Sequence, residues 1–358
     1  MTPSDIIPNS PDDISSEWLT AVLTAAGYET AIRSLRIRPI GTGQMASSLR
    51  VTPVYTASND APRSVVVKIA SSDPNSRQAG ARGAYLKEVR FYQELAHTLP
   101  VATPRSFWAD IDTETNNFAI VLEDMQPAEQ GDQIAGCGPA SVYLAATNIA
   151  GLHAPHWCDH GLFDLSWLTA PPAERHQGYA EIKAIVAMVT PGFIDRHRDR
   201  LTPTHISHLE WFAESLDTWL LNDGGRFALT HGDHRVDNLL FSNTMEAPRP
   251  VTVVDWQTIA VRNPVADISY LLGTSVDPAT RREIENGVVQ AYHQALGERG
   301  VDNYDFDMCF DDYRNQTPHA LLLTVLGSML TVQTDRGDDM FMAMLHRSSQ
   351  QMTDLGVR

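Results

Sequence analysis

The 358-residue chain is poor in cysteine, in positive charge and in long apolar runs. Its three cysteines, Cys137, Cys158 and Cys309, are odd in number and widely spaced, with no C-x-x-C. That excludes a disulfide framework or a structural zinc site and suits a reducing compartment. Lys and Arg number 27 against 44 Asp and Glu, a formal net charge of −17. So acidic a chain is a poor partner for nucleic acid or an anionic membrane. The longest apolar run, "ALLLTVLGSMLTV" at 320–332, carries Thr, Gly and Ser. It is too short to span a bilayer and reads as a buried helix. The opening "MTPSDIIPNSPDD" has neither the basic nor the apolar region of a signal peptide, so a cytoplasmic location is expected.

What is present is a packed chain, 43% hydrophobic and long enough for two lobes. "SSEWLTAVLTAAG" (15–27) has Ser caps, an apolar stripe through Trp18, Leu19, Val22 and Leu23, and a closing Gly27, which predicts a short helix. Three strands follow, at 34–40, 48–57 and 64–70, joined by turn residues. A helix is predicted over 83–99, then two strands, "RSFWADI" and "NFAIVLED". Beyond this the pattern is mostly helical, with one β-like interruption at 227–259. The expected organisation is α+β: a small antiparallel β-rich lobe, 1–125, and a larger helical lobe, 126–358.

The chemistry concentrates in "LTHGDHRVDNLLF" (229–241) and in Asp255, seventeen residues after Asn238. Val251, Val253 and Val254 make a buried strand that ends in this carboxylate, a costly arrangement without a partner. Asn and Asp oxygens together suit Mg²⁺, a hard ion that completes its shell with phosphate and water. Each residue read singly could instead bond local backbone. Lys68 closes the apolar strand "SVVVK". Glu88 shares the inward stripe of the 83–99 helix with Tyr85, Val89, Tyr92 and Leu95, so it needs a cation, and Lys68 is the candidate. "GTGQMA" (41–46) fits a tight turn able to cover phosphates, but Ala46 breaks the third glycine of a G-x-G-x-x-G.

These motifs in this order resemble the aminoglycoside phosphotransferase and choline kinase-like superfamily, which shares the bilobal protein-kinase-like fold. "EVRFYQEL", "VLEDM", "GDQIAGCG", "GLHAPHW", "HGDHRVDNLLF" and "VDWQ" resemble its bacterial branch related to ecdysteroid kinase-like proteins. The resemblance covers roughly residues 35–275. It implies Asp233 as the catalytic Asp, with Arg235 near the transferred phosphate. It implies Asn238 and Asp255 as Mg²⁺ ligands, Lys68 fixed by Glu88 on the phosphates, and Gly41 and Gly43 framing the loop above them. Leu122 would back the base pocket, and the backbone of Glu123 and Met125 would bond the purine of ATP or GTP.

The D-F-G of protein kinases is D-W-Q here, and no A-P-E or activation segment follows, which favours a small-molecule kinase. Asp267 either braces the H-G-D loop or caps a helix. An H-x-H-x-D-H dinuclear metal site fails at Leu229. His231 is expected to brace the loop through backbone, and His153 and His156 to pack. Trp157, Trp167, Trp211 and Trp219 are expected in the core of the helical lobe, where in this fold they would wall an acceptor pocket. The expected activity is phosphorylation of an alcohol on a partly apolar acceptor. The alternatives are an aminoglycoside O-phosphotransferase and a nucleotide-binding pseudokinase.

Overall fold

The computed structural model describes residues 3, 6–41, 45–168, 172–221, 224–244 and 247–358. It resolves into two compact units. The first comprises residues 1–98, 103–126 and 255–257; the second comprises 99–102, 127–254 and 258–358.

In the first unit α1 (Ser16–Ala25) starts where Ser15 Oγ accepts from the Trp18 N–H at 3.1 Å. An Ncap hydroxyl satisfies one of the donors a helix start leaves open. The strands β1 (Ile32–Ile40), β2 (Ala46–Tyr55) and β3 (Val65–Ala70) follow. Next come α2 (Pro74–Gly80), α3 (Ala84–Arg90), β4 (Ser106–Asp112) and β5 (Asn117–Glu123). The strands form one antiparallel sheet in the order β1-β2-β3-β5-β4. Val65, Val67 and Ile69 of β3 alternate onto the face covered by Trp18, Leu19, Val22 and Leu23 of α1. Each such aliphatic side chain contributes roughly 1.5–3 kcal/mol on burial. Because side chains alternate along a strand, Lys68 points to the opposite face.

The helix expected over 83–99 is not continuous. α3 ends at Arg90, and Phe91–Leu95 winds as a π-helical turn. The wider turn seats Phe91 against Trp256, with ring centroids 3.8 Å apart and planes 14° apart. π-turns of this kind collect at functional sites.

The second unit contains β6 (Glu129–Gln130), α4 (Pro139–His153), α5 (Pro172–Arg196) and α6 (Pro203–Leu221). Four short strands follow: β7 (Ala228–Thr230), β8 (Leu239–Phe241), β9 (Val251–Val253) and β10 (Ala260–Arg262). The chain then runs through α7 (Val265–Ser275), α8 (Pro278–Gly297), α9 (Phe306–Asn315), α10 (His319–Leu330) and α11 (Asp335–Asp354). The strands make two small sheets, β6-β8-β9 and β10-β7. One core joins α5, α6, α10 and α11 through Phe193, Leu209, Phe212, Leu321, Val325 and Leu345. The apolar run at 320–332 is therefore a packed helix, as its composition predicted. No helix among the described residues is long and apolar enough to cross a membrane.

One packing expectation holds in part: Trp211 and Trp219 pack against the core of the second unit, from its margin. Trp157, Trp167, Trp211 and Trp219 are all only partly buried. Trp219 Nε1 donates to the Asn315 carbonyl at 2.9 Å, and Trp157 stacks at a tilt on Tyr304. The fully buried tryptophans are Trp18 and Trp256, both in the first unit.

Candidate functional site

Each unit carries one polar cluster built from the residues the sequence singled out. In the first unit the cluster forms around Lys68. Its Nζ lies 2.8 and 2.7 Å from the two carboxylate oxygens of Glu88 and 3.1 Å from Asp255 Oδ1. Lys68 and Glu88 are both buried, while the Asp255 side chain is 36% exposed. Burial opposes the ammonium charge, but the Asp255 and Glu88 carboxylates outweigh it and raise the Lys68 pKa. One cation facing two anions leaves an excess negative charge at Asp255, the more open of the two carboxylates.

Of D-W-Q, Asp255 joins this cluster, and Trp256 and Gln257 after it are buried. Asp255 bonds Lys68. Trp256 stacks on Phe91 and donates from Nε1 to Thr103 Oγ1 at 3.1 Å. Asp255 itself sits at φ +68, a left-handed conformation that few non-glycine residues adopt. Strain of this kind persists only where neighbours over-determine it. The sequence showed D-W-Q as a departure from D-F-G; the structure shows the replacement as a fixed plug.

The remaining expected residues of this unit lie at strand ends. Gly41 follows β1 at φ +73, whereas Gly43 lies outside the described residues. Tyr85 Oη donates to the Met45 carbonyl at 2.6 Å, tying α3 to the return of that loop. Leu122 is buried in β5. The Glu123 N–H donates to the Arg105 carbonyl at 2.8 Å, so it offers no donor to a base. Asp124, the next residue, was missed by the sequence reading. It accepts from Arg50 at 2.7 and 3.0 Å and from Ser64 Oγ at 2.6 Å. Burial opposes its charge, but Arg50 and Ser64 outweigh it and hold the carboxyl below its usual pKa.

In the second unit the cluster is the loop between β7 and β8. Asp233 is held on three sides. Arg235 Nε donates to it at 2.9 and 3.2 Å, Tyr270 Oη at 2.8 Å, and Asn238 Nδ2 at 2.9 Å. Burial and the Asp233 charge push the Tyr270 phenol well above its usual pKa, so it remains a donor. Asn238 Nδ2 also reaches the Asp233 carbonyl at 2.8 Å. With its amide nitrogen so engaged, Asn238 presents its oxygen as an acceptor.

The loop is braced mainly by backbone contacts. Asp267, on α7 and wholly buried, accepts from the His231 N–H at 2.7 Å and the Gly232 N–H at 2.9 Å. Of the two readings of Asp267, the structure selects the brace. Burial opposes its charge, but the bond from His153 and the surrounding imidazoles outweigh it, and its carboxyl lies far below the usual range. His153 completes the set, 3.1 Å from Asp267 and 2.8 Å from Tyr292 Oη. The His231 ring bonds the Val254 carbonyl at 3.0 Å, as expected of a loop brace. Gly232 sits at φ +82, where an added Cβ would fall 2.5 Å from the Thr258 carbonyl. Only glycine fits there.

The stretch beyond 275 carried no usable motif, yet it supplies several contacts. His319 Nε2 bonds the Gly232 carbonyl at 2.7 Å. Met340 Sδ receives Arg235 Nη1 at 2.9 Å. Arg347 ties down the segment that follows β6: Nη1 donates to the Gln133 and Thr274 carbonyls at 2.7 and 2.9 Å, and Nη2 to the Ile134 carbonyl at 2.7 Å. Gln133 N–H in turn donates to Asp237 at 2.8 Å. The segment 129–138 is thus a strap fastened to the Asp233 loop. Met340 and Arg347 sit seven residues apart on one helix, a spacing that marks a shared face but names no partner.

Comparison with known proteins agrees with this architecture. The Ecdysteroid kinase-like family model matches residues 183–301. A Ralstonia eutropha protein provisionally classed as an aminoglycoside phosphotransferase superposes with a TM-score of 0.53 at 16% identity, covering 94% of this chain and 98% of that one. Plasmodium vivax ethanolamine kinase gives 0.52 at 11% identity, over 88% and 81% of the chains. An aminoglycoside 2″-phosphotransferase complexed with GDP and kanamycin gives 0.52 at 15%, over 94% and 99%. The chain has the fold of these aminoglycoside phosphotransferases and of the ethanolamine kinase. Among curated proteins, acyl-CoA dehydrogenase family member 11 of Gallus gallus is 28% identical over 174 residues, 48% of this chain. The match spans only a fifth of that protein, 20% of its length.

Proposed function

We propose that this chain is a small-molecule O-kinase that transfers the γ-phosphate of ATP or GTP to an alcohol on a partly apolar acceptor. The observation that carries the reading is the Lys68–Glu88–Asp255 cluster, in which one buried cation faces two carboxylates. A structural ion pair needs one carboxylate. Two carboxylates on one lysine, the second partly exposed on strained backbone, suit a site completed by a further cation.

The donor set fits Mg²⁺: a carboxylate at Asp255 and an amide oxygen at Asn238, both hard oxygen ligands. The bound ion would neutralise charge on the triphosphate. Lys68, held by Glu88, would carry the α- and β-phosphates, under the loop framed by Gly41. Asp233 would orient the acceptor hydroxyl. The alcohol oxygen forms its bond to the γ-phosphorus as the bond from that phosphorus to the β–γ bridging oxygen breaks. The hydroxyl proton passes to the Asp233 carboxylate, and the bridging electron pair leaves with the nucleoside diphosphate. Phosphoryl transfer of this kind depends on positioning and charge neutralisation more than on covalent chemistry. The Arg235 guanidinium would steady charge on the transferred group. An acyl-chain hydroxyl belongs among the acceptors to try, since the Gallus gallus relative is named for an acyl-CoA.

The test is nucleoside diphosphate release with Mg-ATP and Mg-GTP against aminoglycosides, sugars, choline, sterols, phenols and hydroxyacyl compounds. Turnover with one acceptor class that disappears in Asp233→Asn supports the reading. Failure to bind either nucleotide sinks it.

A further inference from the structure

One arginine in the second unit is placed for a ligand that the protein itself does not provide. Arg336, in the first turn of α11, is 42% exposed. Its Nη2 lies 3.5 Å from Asp237 Oδ1 and 3.7 Å from Asp132 Oδ1. Neither approach is a hydrogen bond, and Arg336 makes none among the described residues. Both oxygens already have donors: Asp237 Oδ1 accepts from Gln133 N at 2.8 Å, and Asp132 Oδ1 from Ile134 N at 2.9 Å. The guanidinium is therefore held in place by charge while its five donors stay uncommitted. Arg347, eleven residues on, is the contrast, with two nitrogens spent on three carbonyls.

The placement relates Arg336 to the proposed chemistry. Asp237 also takes Arg235 Nη1 at 3.2 Å, and Arg235 Nε binds Asp233. Arg336 is thus three ion pairs from the carboxylate that would receive the acceptor hydroxyl. Around this chain of charge the protein is apolar: Tyr270, Met340, Phe341 and Met344 pack together, with Ile134 and Leu323 against them. Ile134 also borders a surface cavity of about 430 Å³ of mixed lining, with Met342 and Ala343 beside Arg200, His205, Asp339 and His346. The acidic groups here are matched. Asp132 and Asp237 face Arg336, and on the same helix Asp338 pairs with Arg196 and Asp339 with Arg200. A polycationic acceptor would need carboxylates left unpaired, despite a chain charge of −17. What is left open is hydrogen-bonding capacity: Arg336 is paired in charge, but its donors have no acceptor within hydrogen-bonding distance among the described residues.

We infer that the acceptor is an amphipathic alcohol bearing an anionic group, a carboxylate or phosphate, and that Arg336 binds this group. The inference rests on the kinase reading for the identity of the ligand as acceptor. Guanidinium donors suit either anion, since both present paired oxygens.

A charge series of one shape tests it: hydroxydecanoate, decanediol and aminodecanol, with decanediol monophosphate to separate phosphate from carboxylate. Binding is measured by calorimetry on the full chain with nucleotide present, and diphosphate release is followed in parallel. The expected result is binding of at least one anionic member about tenfold or more tighter than the diol. Arg336→Ala should abolish that preference, Arg336→Lys keep part of it, and Arg336→Glu shift it toward the amine, with melting temperatures unchanged in all three. Equal binding across the series overturns the inference. So does preference for the amine by the unaltered protein, a preference that survives in Arg336→Ala, or no binding at all. Arg336-dependent anion binding without diphosphate release would sink the kinase reading and leave the anion site standing.

Discussion

The two polar clusters are built from different materials. The one around Lys68 is ionic, with one ammonium and two carboxylates and the neutral groups at its margin. The one around Asp233 surrounds its Arg235 ion pairs with amide, phenol and imidazole groups, and of 13 histidines in the chain only His97 lies in the first unit. An ionic cluster holds its members by charge and can exchange one cation for another. A cluster of directed hydrogen bonds fixes an atom in space. A kinase needs both: a seat that accepts and releases charged phosphates, and a carboxylate that does not move.

The sharpest way to break the comparison is at Asp233. Asp233→Asn keeps the hydrogen-bonding shape but removes the charge that Arg235, Tyr270 and Asn238 surround. Turnover should fall by about 10²–10⁴-fold, while nucleotide affinity measured by calorimetry stays within error. Unchanged turnover would remove Asp233 from the chemistry. Lys68 should behave in the opposite manner, because its loss leaves Glu88 buried without a cation. Lys68→Met should cost about 3–5 kcal/mol of stability as well as nucleotide binding. The double variant with Glu88→Gln should recover most of the stability in denaturant titration but none of the binding. If binding returned too, Lys68 would be only a structural partner.

Much of this was legible because burial and charge conflict visibly in a sequence. A lysine closing three valines and a glutamate on an apolar stripe must meet something, and Lys68 and Glu88 do meet. The five-stranded sheet was legible from alternation and turn residues. What was not legible depends on backbone or on distance along the chain. The π-turn at Phe91 follows no side-chain period. The engagement of the Glu123 N–H by Arg105 leaves no trace in residue types. His319, Met340 and Arg347 reach the Asp233 loop and its strap from more than eighty residues away, on helices whose sequence reads as ordinary core. Trp211 and Trp219 do pack against the helical core, but how much of each ring stays exposed was not legible from composition.

A smaller effect is expected at Asp267, which holds the loop without joining the chemistry. Asp267→Asn retains one acceptor oxygen and loses the other, together with the charge that His153 faces. Stability should fall by roughly 1.5–3 kcal/mol, the usual contribution of a hydrogen bond to a charged group. The turnover number should fall more than nucleotide affinity, since only the position of Asp233 is disturbed. An equal loss in both would mean that the loop serves nucleotide binding directly.

The last difference is one of pH. Burial holds His234 down to about 3, and His205 and His319 to about 4, all in the second unit. Unfolded, each titrates near pH 6.5. Between those values the unfolded chain takes up protons that the folded one refuses, so stability falls as pH drops from about 6.5 toward 4 and is level above. Lys68 has its sign reversed. Its raised pKa means that its contribution is complete below about 10.5 and is lost only as pH rises beyond that. Hydrogen exchange followed by peptide from pH 8 to pH 5, corrected for intrinsic rates, should show protection falling around β7, α6 and α10 while peptides carrying β3 and α3 hold steady. Parallel loss in both sets would mean that the units unfold as one body, and the contrast between an ionic and a hydrogen-bonded cluster would then have no thermodynamic expression.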